Sequence, residues 1–254
     1  MSLIKDKTEI ESIIECGKRL SSVLDIVAKS VKAGMTTEDL DKIARNEIEK
    51  IGDIPAFLGY TPEGIRNPYP SALCVSINEE VVHGIPSKKR IIKEGDIVSV
   101  DLGLKHNGLF CDHAKTVAVG KVSKEIQNLL KDTKKALELG IGQARVGNTT
   151  GDIGSAIESV AKNGNYGLVK ILSGHGVGKK IHDDPYVPNY GKPGQGTKLV
   201  EGMVIAIEPM FTLGKGHVRA LNDEYTYVTK DKSMSAHFEH TVLITASGPK
   251  ILTI

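Results

Sequence analysis

Four stretches of the chain carry apolar residues at helical spacing. In the first, Ile10, Ile13, Ile14, Leu24, Val27 and Val31 share one face, and Gly34 marks its end. Thr8-x-x-Glu11 is expected to open it as a capping box, because the two side chains can satisfy free N–H groups of the first turn. The second carries Leu40, Ile43, Ala44, Ile48 and Ile51 and stops at Gly52. Ser123 precedes the third, with Ile126, Leu129, Leu130 and Leu137 and a stop at Gly140. Ile153, Ala156, Ile157, Val160 and Ala161 define the fourth, which stops at Gly164.

These helices fall into two similar pairs. Gly34-Met-Thr36-Thr37-Glu-Asp39-Leu40 is echoed by Gly147-Asn-Thr149-Thr150-Gly-Asp152-Ile153 about half a chain later. A common turn-and-cap sequence used twice would give the same echo, but helix order and length repeat as well. Val- and Ile-rich strand sequence follows each pair. The pattern predicts an α+β protein: one domain over 1–254, built from two similar halves of about 1–120 and 121–254, with no flexible linker. A cleft between such halves is where binding sites prefer to sit.

Among the strands, Leu73, Val75 and Ile77 alternate before a turn at Asn78-Glu79-Glu80 into Val81-Val82-His83. Ile97–Leu104 and Leu109–Val119 flank Asn107-Gly108, a strong hairpin signal. Val200–Phe211 and Thr241–Thr245 read as further strands. If residue 106 pairs with 109, then 101 pairs with 114. Without a bulge, Asp101 and Asp112 become diagonal neighbours on one face, roughly 7–8 Å apart. Two carboxylates among apolar neighbours repel: at 4 Å and an effective dielectric of 20, a like pair costs about 4 kcal/mol. A divalent cation between them is one remedy; exposure on an open sheet face is the other.

Composition narrows the class. Hydrophobic residues make up 40% and charged residues 25% of 254 residues, which excludes disordered, collagen-like and coiled-coil chains. The formal net charge of +2, with no Trp and 4% aromatics, gives no electrostatic or stacking case for nucleic acid. The longest apolar run, Met203–Phe211, is interrupted by Glu208 and is far below the roughly 20 residues of a membrane span. The opening Met-Ser-Leu-Ile-Lys-Asp-Lys lacks the apolar core of a signal peptide. Cys16, Cys74 and Cys111 are odd in number and widely spaced, and read as reduced thiols in a cytoplasmic protein.

The second half supplies matching polar groups. Ser173-Gly-His175-Gly-Val-Gly178 places one imidazole in a Gly-rich segment, and His182 follows seven residues later. Glu208 stands alone in Met203-Val-Ile-Ala-Ile-Glu208-Pro-Met, and Glu239 heads the strand at Thr241. Each singly could be a surface or salt-bridged residue. Together they make four carboxylates and one His in apolar strand contexts, whose charge two divalent cations would balance. Such an oxygen-rich set favours Mn, Fe(II) or Co over a thiolate zinc site.

The chain closely resembles a type I methionine aminopeptidase of the bacterial kind. The residues that carry the resemblance are Ser76-Ile-Asn78-Glu-Glu-Val-Val-His83-Gly-Ile-Pro86, Asp96-Ile-Val-Ser-Val-Asp101 and Gly108-Leu-Phe-Cys-Asp112. They continue with Gly174-His175-Gly-Val-Gly178, His182, Ile207-Glu208-Pro-Met210 and Ser235-Ala-His-Phe-Glu239-His240-Thr241. It implies the pita-bread fold, a curved antiparallel sheet flanked by two pairs of helices with an internal pseudo-twofold duplication.

By that resemblance, two divalent metal ions (Co, Mn, Fe(II) or Zn) would be held by Asp101, Asp112, His175, Glu208 and Glu239, with Asp112 and Glu239 bridging. A bridging water or hydroxide would be the nucleophile and Glu208 its proton shuttle. His83 and His182 would bind the scissile amide without ligating metal. Phe57, Tyr60, Tyr69, Cys74, Ile181 and Tyr225 would line a methionine pocket. Phe57, Ile181 and Tyr225 stand where Cys, Phe and Trp are frequent in bacterial relatives, and Thr61–Pro70 is longer than is usual there. A monovalent cation is expected near Asn78 and Ser235. His106, His113, His217, His237 and His240 are read as structural or exposed.

The implied activity is removal of the initiator methionine from nascent proteins with a small second residue. The substrate is the N-terminal Met of peptides and nascent chains, met in transient contact with the ribosome. A monomer of one domain, with no membrane association and no nucleic-acid specificity, is the family expectation. Two alternatives share the pattern. Xaa-Pro-cleaving relatives usually carry a large N-terminal domain, for which few residues precede the first helix here. A non-enzymatic binding homologue would not need all five ligands and both accessory histidines.

Overall fold

Capping and apolar faces explain where the helices begin. In the computed structural model, which describes residues 5–254, α1 (Lys7–Ser30) opens at Asp6. The Asp6 carboxylate accepts the Glu9 N–H at 2.8 Å, and Glu9 accepts the Asp6 N–H at 3.0 Å. The box therefore lies two residues before Thr8-x-x-Glu11, because an ionised Asp caps as well as Thr and also gains from the helix dipole. Residues 1–4 of the opening segment lie outside the described residues. α2 (Thr37–Lys50) opens at Thr36, reciprocated by Asp39. There follow β1 (Ile54–Pro55), β2 (Leu73–Ile77), β3 (Glu80–Val82), β4 (Ile97–His106) and β5 (Leu109–Ala118).

The second half starts with α3 (Lys124–Gln143), capped by Ser123, and α4 (Thr150–Gly164), opened by Thr149 and Asp152. α3 continues three residues beyond Gly140. That glycine lies against α4: a Cβ there would sit 3.0 Å from Ile157, so its role is close approach and not helix termination. The remaining strands are β6 (Gly167–Leu168), β7 (Ser173–Gly176), β8 (Asp183–Pro188), β9 (Val204–Ile207) and β10 (Met210–Thr212). They continue with β11 (Val218–Ala220), β12 (Tyr227–Thr229), β13 (Ser235–His237), β14 (Glu239–Thr245) and β15 (Gly248–Ile251).

The two echoed segments make the same hydrogen bonds. Gly34 N–H donates to Ile92 O, Ile92 N–H to Met35 O, and Thr37 N–H to Arg90 O, at 2.8–2.9 Å. Gly147 N–H donates to Leu199 O, Leu199 N–H to Asn148 O, and Thr150 N–H to Thr197 O, at 2.8–3.0 Å.

A nine-stranded sheet runs β1-β4-β5-β14-β9-β7-β8, with β15 beside β14 and β2 beside β4. Two three-stranded sheets, β13-β10-β6 and β11-β12-β3, flank it. The pairings are antiparallel. Leu20 and Leu24 of α1 and Leu40 and Ile48 of α2 share one core with Val98, Val100, Leu102 and Leu104. Leu129, Leu137, Ile153 and Ile157 share another with Ile205, Ile207, Val242 and Ile244. Each such side chain contributes roughly 1.5–3 kcal/mol on burial. Period-two alternation then turns Asp101 and Glu239 to the face away from these helices.

Val200–Phe211 is not one strand. Its ladder with β14 ends at Ile207, and β10 pairs instead with β13 and β6. Pro209 has no N–H to donate and disfavours continuation through Glu208. Glu208 therefore projects from a break between strands.

Candidate active site

The β4–β5 hairpin closes with His106 opposite Leu109 and runs unbroken to Ile97 opposite Ala118. Asp101 lies opposite Ala114 and Asp112 opposite Gly103, so the two aspartates share a face. On its other side Ala114 pairs with Glu239 of β14. Asp101, Ala114 and Glu239 thus form one row across three strands, with the small Ala114 leaving room between the carboxylates. Thr241 ties β14 to β5: its hydroxyl accepts from Asp112 N–H at 2.9 Å and donates to Asp112 O at 2.7 Å. His113, turned to the helix face, donates from Nδ1 to Glu239 O at 2.5 Å.

His175 on β7 and Glu208 at the end of β9 complete the group. His175 Nε2 lies 3.6 Å from Glu208 Oε1 and 3.9 Å from Asp112 Oδ2. In three overlapping sets, one ligand atom of each residue lies within 4.8 Å of the others: Asp101, Asp112 and Glu239; His175, Glu208 and Glu239; Asp112, His175 and His182. The structure so brings together all five residues read as ligands, and adds His182 at their edge.

The donor set suits divalent cations. Asp101 Oδ1 and Glu239 Oε1 are buried without a hydrogen-bond partner. Among the described residues, Asp112 and Glu208 form ion pairs only with histidines, so no Lys or Arg neutralises them. Burial, then mutual repulsion, raises the pKa of Asp112 and Glu239 well above the carboxylate range. Asp101 is pushed up to about 7, first by burial, with Glu208 adding to it and His237 opposing. A cation would remove both the desolvation and the repulsion. His175 Nδ1 donates to Gly176 O at 3.0 Å, which leaves Nε2 with its lone pair toward the carboxylates, as a metal ligand requires.

The cluster forms the polar end of a cavity. Phe57, Tyr60, Tyr69, Cys74 and Tyr225 line its apolar end, with His83 and His182 between. Ile181 stands just behind, buried in one cluster with Phe57, Tyr69, Cys74 and Tyr225. Gly103 lets Phe57 and Ile181 pack closely beside the cavity: a Cβ there would lie 2.8 Å from Ala56, 2.9 Å from Phe57 and 3.0 Å from Ile181. Tyr69 is buried in spite of its Pro-rich loop and donates to Gly84 O at 3.1 Å. The Tyr225 hydroxyl donates to Asn67 O at 2.6 Å and Tyr60 O at 3.2 Å, tying down the 61–68 loop, and Pro62 of that loop reaches the cavity.

His83 sits in a left-handed backbone conformation at φ 59°, a strained setting for a non-glycine residue that is characteristic of functional sites. Burial lowers the pKa of His83 to about 4, with His237 and His175 adding to the effect. Desolvation and then His83 lower His182 to about 4. Both are neutral at pH 7. His182 Nδ1 bonds Tyr60 Oη at 2.9 Å, and its ring stands edge-on to His175 at 4.5 Å.

Two placements differ from expectation. His237, read as structural or exposed, is buried with Nε2 3.4 Å from Glu208 Oε2. Its position two residues before Glu239, on the same parity of an extended segment, is the signal that marks it. Pro62 entered the cavity through a loop whose path no local pattern sets. Asn78 and Ser235 do meet: Ser235 N–H donates to Asn78 O at 2.8 Å.

A sequence model of metallopeptidase family M24 matches residues 11–246. A methionine aminopeptidase of Clostridium acetobutylicum is 46% identical over 254 residues, covering 100% of this chain and 99% of that one. The crystal structure of a methionine aminopeptidase from Thermotoga maritima superimposes with a TM-score of 0.94 at 41% identity, covering 98% of both chains. A prolidase from Pyrococcus furiosus superimposes with a TM-score of 0.78 at 25% identity, over 99% of this chain and 65% of that one.

Proposed function

The chain belongs to metallopeptidase family M24, and from that membership we propose how its buried carboxylate cluster works. It is a metal-dependent aminopeptidase that removes the initiator methionine, and its substrates are peptides with an N-terminal Met. The observation that carries this reading is a cluster of four carboxylates and one imidazole opening into an apolar cavity.

Asp101, Asp112, His175, Glu208 and Glu239 would hold two divalent cations, drawn from Mn, Fe(II), Co or Zn. When bound, these supply Lewis acidity and a nucleophile at neutral pH. The chain's own groups do the rest. Phe57, Tyr69, Cys74 and Tyr225 bury the methionine side chain with Ile181 packed behind them, and Tyr60 closes the pocket beside His182. Tyr60 donates to His182 Nδ1, so the neutral imidazole presents Nε2–H to the scissile amide. His83, also neutral, donates from the other wall. Such donors act where negative charge develops on the carbonyl oxygen and are worth a few kcal/mol. Glu208 takes the proton of the attacking water on a carboxylate oxygen and returns it to the leaving amine.

Five finer points belong to the same reading. The catalytic domain spans 1–254 as two similar halves; the matching hydrogen bonds at Gly34–Thr37 and Gly147–Thr150 support this. A monovalent cation would sit near Asn78 and Ser235, where Ser235 Oγ is buried without a partner. The free thiols of Cys16, Cys74 and Cys111 support a reducing, cytoplasmic setting. Lys170, Lys215, His217 and Lys230 line one groove, which supports transient contact with the ribosome. The site is complete within one chain, consistent with a monomer. No helix among the described residues is long and apolar enough to cross a membrane.

The test is hydrolysis of Met-Ala-Ser and Gly-Pro-Ala by protein stripped of metal and then given Mn(II), Co(II) or Fe(II). Metal-restored release of Met from the first peptide alone is expected. Cleavage of Gly-Pro-Ala, or of neither, would overturn the reading.

A further inference from the structure

The His237 ring is 2% exposed, and neither of its nitrogens has a hydrogen-bond partner. Buried imidazoles in such a state are rare, since a ring nitrogen removed from water needs a replacement contact. The backbone of His237 is held firmly. Its N–H donates to Thr116 Oγ1 at 2.9 Å, and the same hydroxyl donates to His237 O at 2.6 Å. With β13 fixed in this way, Nε2 lies 3.4 Å from Glu208 Oε2, close enough for a small turn of the ring to form the bond, and the ring also acts on the charge of Asp101.

Glu208 has need of such a contact. It follows the last ladder residue of β9, and only its carbonyl is held locally, by Asn189 Nδ2 at 3.0 Å. Its side chain has three rotatable torsions and no ladder neighbour to choose among them. Its other oxygen, Oε1, faces His175 Nε2 at 3.6 Å. A donor on Oε2 therefore selects the rotamer in which Oε1 turns to the ligand cluster.

We propose that His237 is a positioning residue for Glu208, donating from Nε2 to Oε2 so that Oε1 is presented to the metal cluster. This rests on the assignment of Glu208 made above. His237 touches neither substrate nor metal; it acts through the carboxylate.

The test compares H237L, H237N and H237Q with the wild-type protein, loaded with Co(II). Leu removes the donor, Asn keeps one too short to reach Glu208, and Gln keeps one of suitable length. In H237L and H237N, kcat on Met-Ala-Ser should fall at least tenfold with KM within twofold. Calorimetric titration should show Co(II) binding weakened about tenfold, with a changed visible Co(II) spectrum. H237Q should recover both quantities to within about threefold of wild type. Wild-type kcat and Co(II) spectrum in folded H237N overturn the proposal, as does an H237Q as impaired as H237N; H237L adds to the comparison where it folds. Failure of the wild type itself to bind Co(II) would instead remove the assignment of Glu208, and the proposal with it.

Discussion

Replacing Asp112 by Asn should stabilise the metal-free protein while abolishing its activity. Asp101, Asp112 and Glu239 place carboxylate oxygens within 4.8 Å of one another with no Lys or Arg between them. At that separation and an effective dielectric of 20, each ionised pair costs about 3.5 kcal/mol. Asp112 takes part in two of the three pairs. Partial protonation relieves some of this repulsion, as the raised pKa of Asp112 and Glu239 records, so a net gain of about 2–4 kcal/mol at pH 8 is expected.

The sign follows from those shifts. A carboxyl whose native pKa lies above its unfolded value binds protons in the folded state, so the metal-free wild type loses stability as pH rises above about 4. The advantage of D112N should therefore be largest at pH 8 and shrink toward pH 5. Urea denaturation in excess chelator measures it. At this chain length, 3 kcal/mol corresponds to a rise in Tm of roughly 6–12 °C. Added Mn(II) should reverse the order, because ligand binding stabilises only a fold that holds the ion. A metal-free D112N less stable than wild type at pH 8, or a difference that does not diminish in acid, would refute the argument.

Three further outcomes are expected. Gly103→Val puts a branched side chain where even a Cβ lies 2.8–3.0 Å from Ala56, Phe57 and Ile181; KM for Met peptides should rise at least tenfold and stability fall by about 1–3 kcal/mol, with Co(II) binding retained in titration. Asp41 accepts the Ala72 and Leu73 N–H groups at 2.8 and 3.0 Å and pairs with Arg45; Asp41→Ala leaves two buried donors unpaired and should cost about 2–5 kcal/mol in urea melts, and a loss below 1 kcal/mol would contradict this. Asp231 accepts from Ser233 and the Lys215 N–H, contacts that hold its pKa down to about 2; its stabilising effect is present above about pH 4 and lost between 4 and 2, and an NMR carboxyl titration with a midpoint near 4 would refute it.

Much of the site was legible before the fold. Asn107-Gly108 set the hairpin register, and strict alternation along two paired strands put Asp101 and Asp112 on one face. Glu208 and Glu239 stood out as charges in apolar runs, and both proved to belong to the cluster. Local signals misled where two equivalent ones competed. Asp6-x-x-Glu9 and Thr8-x-x-Glu11 are both capping boxes, and the helix took the earlier. Gly140 looked like a stop and is a packing contact with α4, a distinction that depends on a helix distant from it in sequence.

The sequence by itself determined the elements whose causes are covalently near: the apolar faces of four helices, their Thr36, Ser123 and Thr149 caps, and the hairpin turn; the apolar run reads through the strand break at Glu208-Pro209 as one strand. Only the tertiary structure decided which elements meet. His237 ends β13 and Glu208 sits in the break between β9 and β10, about thirty positions earlier, and the pairing of β10 with β13, Met210 opposite His237, brings their side chains to 3.4 Å. Phe57, Tyr69, Ile181 and Tyr225 come from four separate segments and converge in one buried cluster, where Phe57 and Ile181 pack into the space that Gly103 leaves. Turns and caps are short-range and read from neighbours. Pockets and charge clusters arise from burial, which is a property of the whole packed chain.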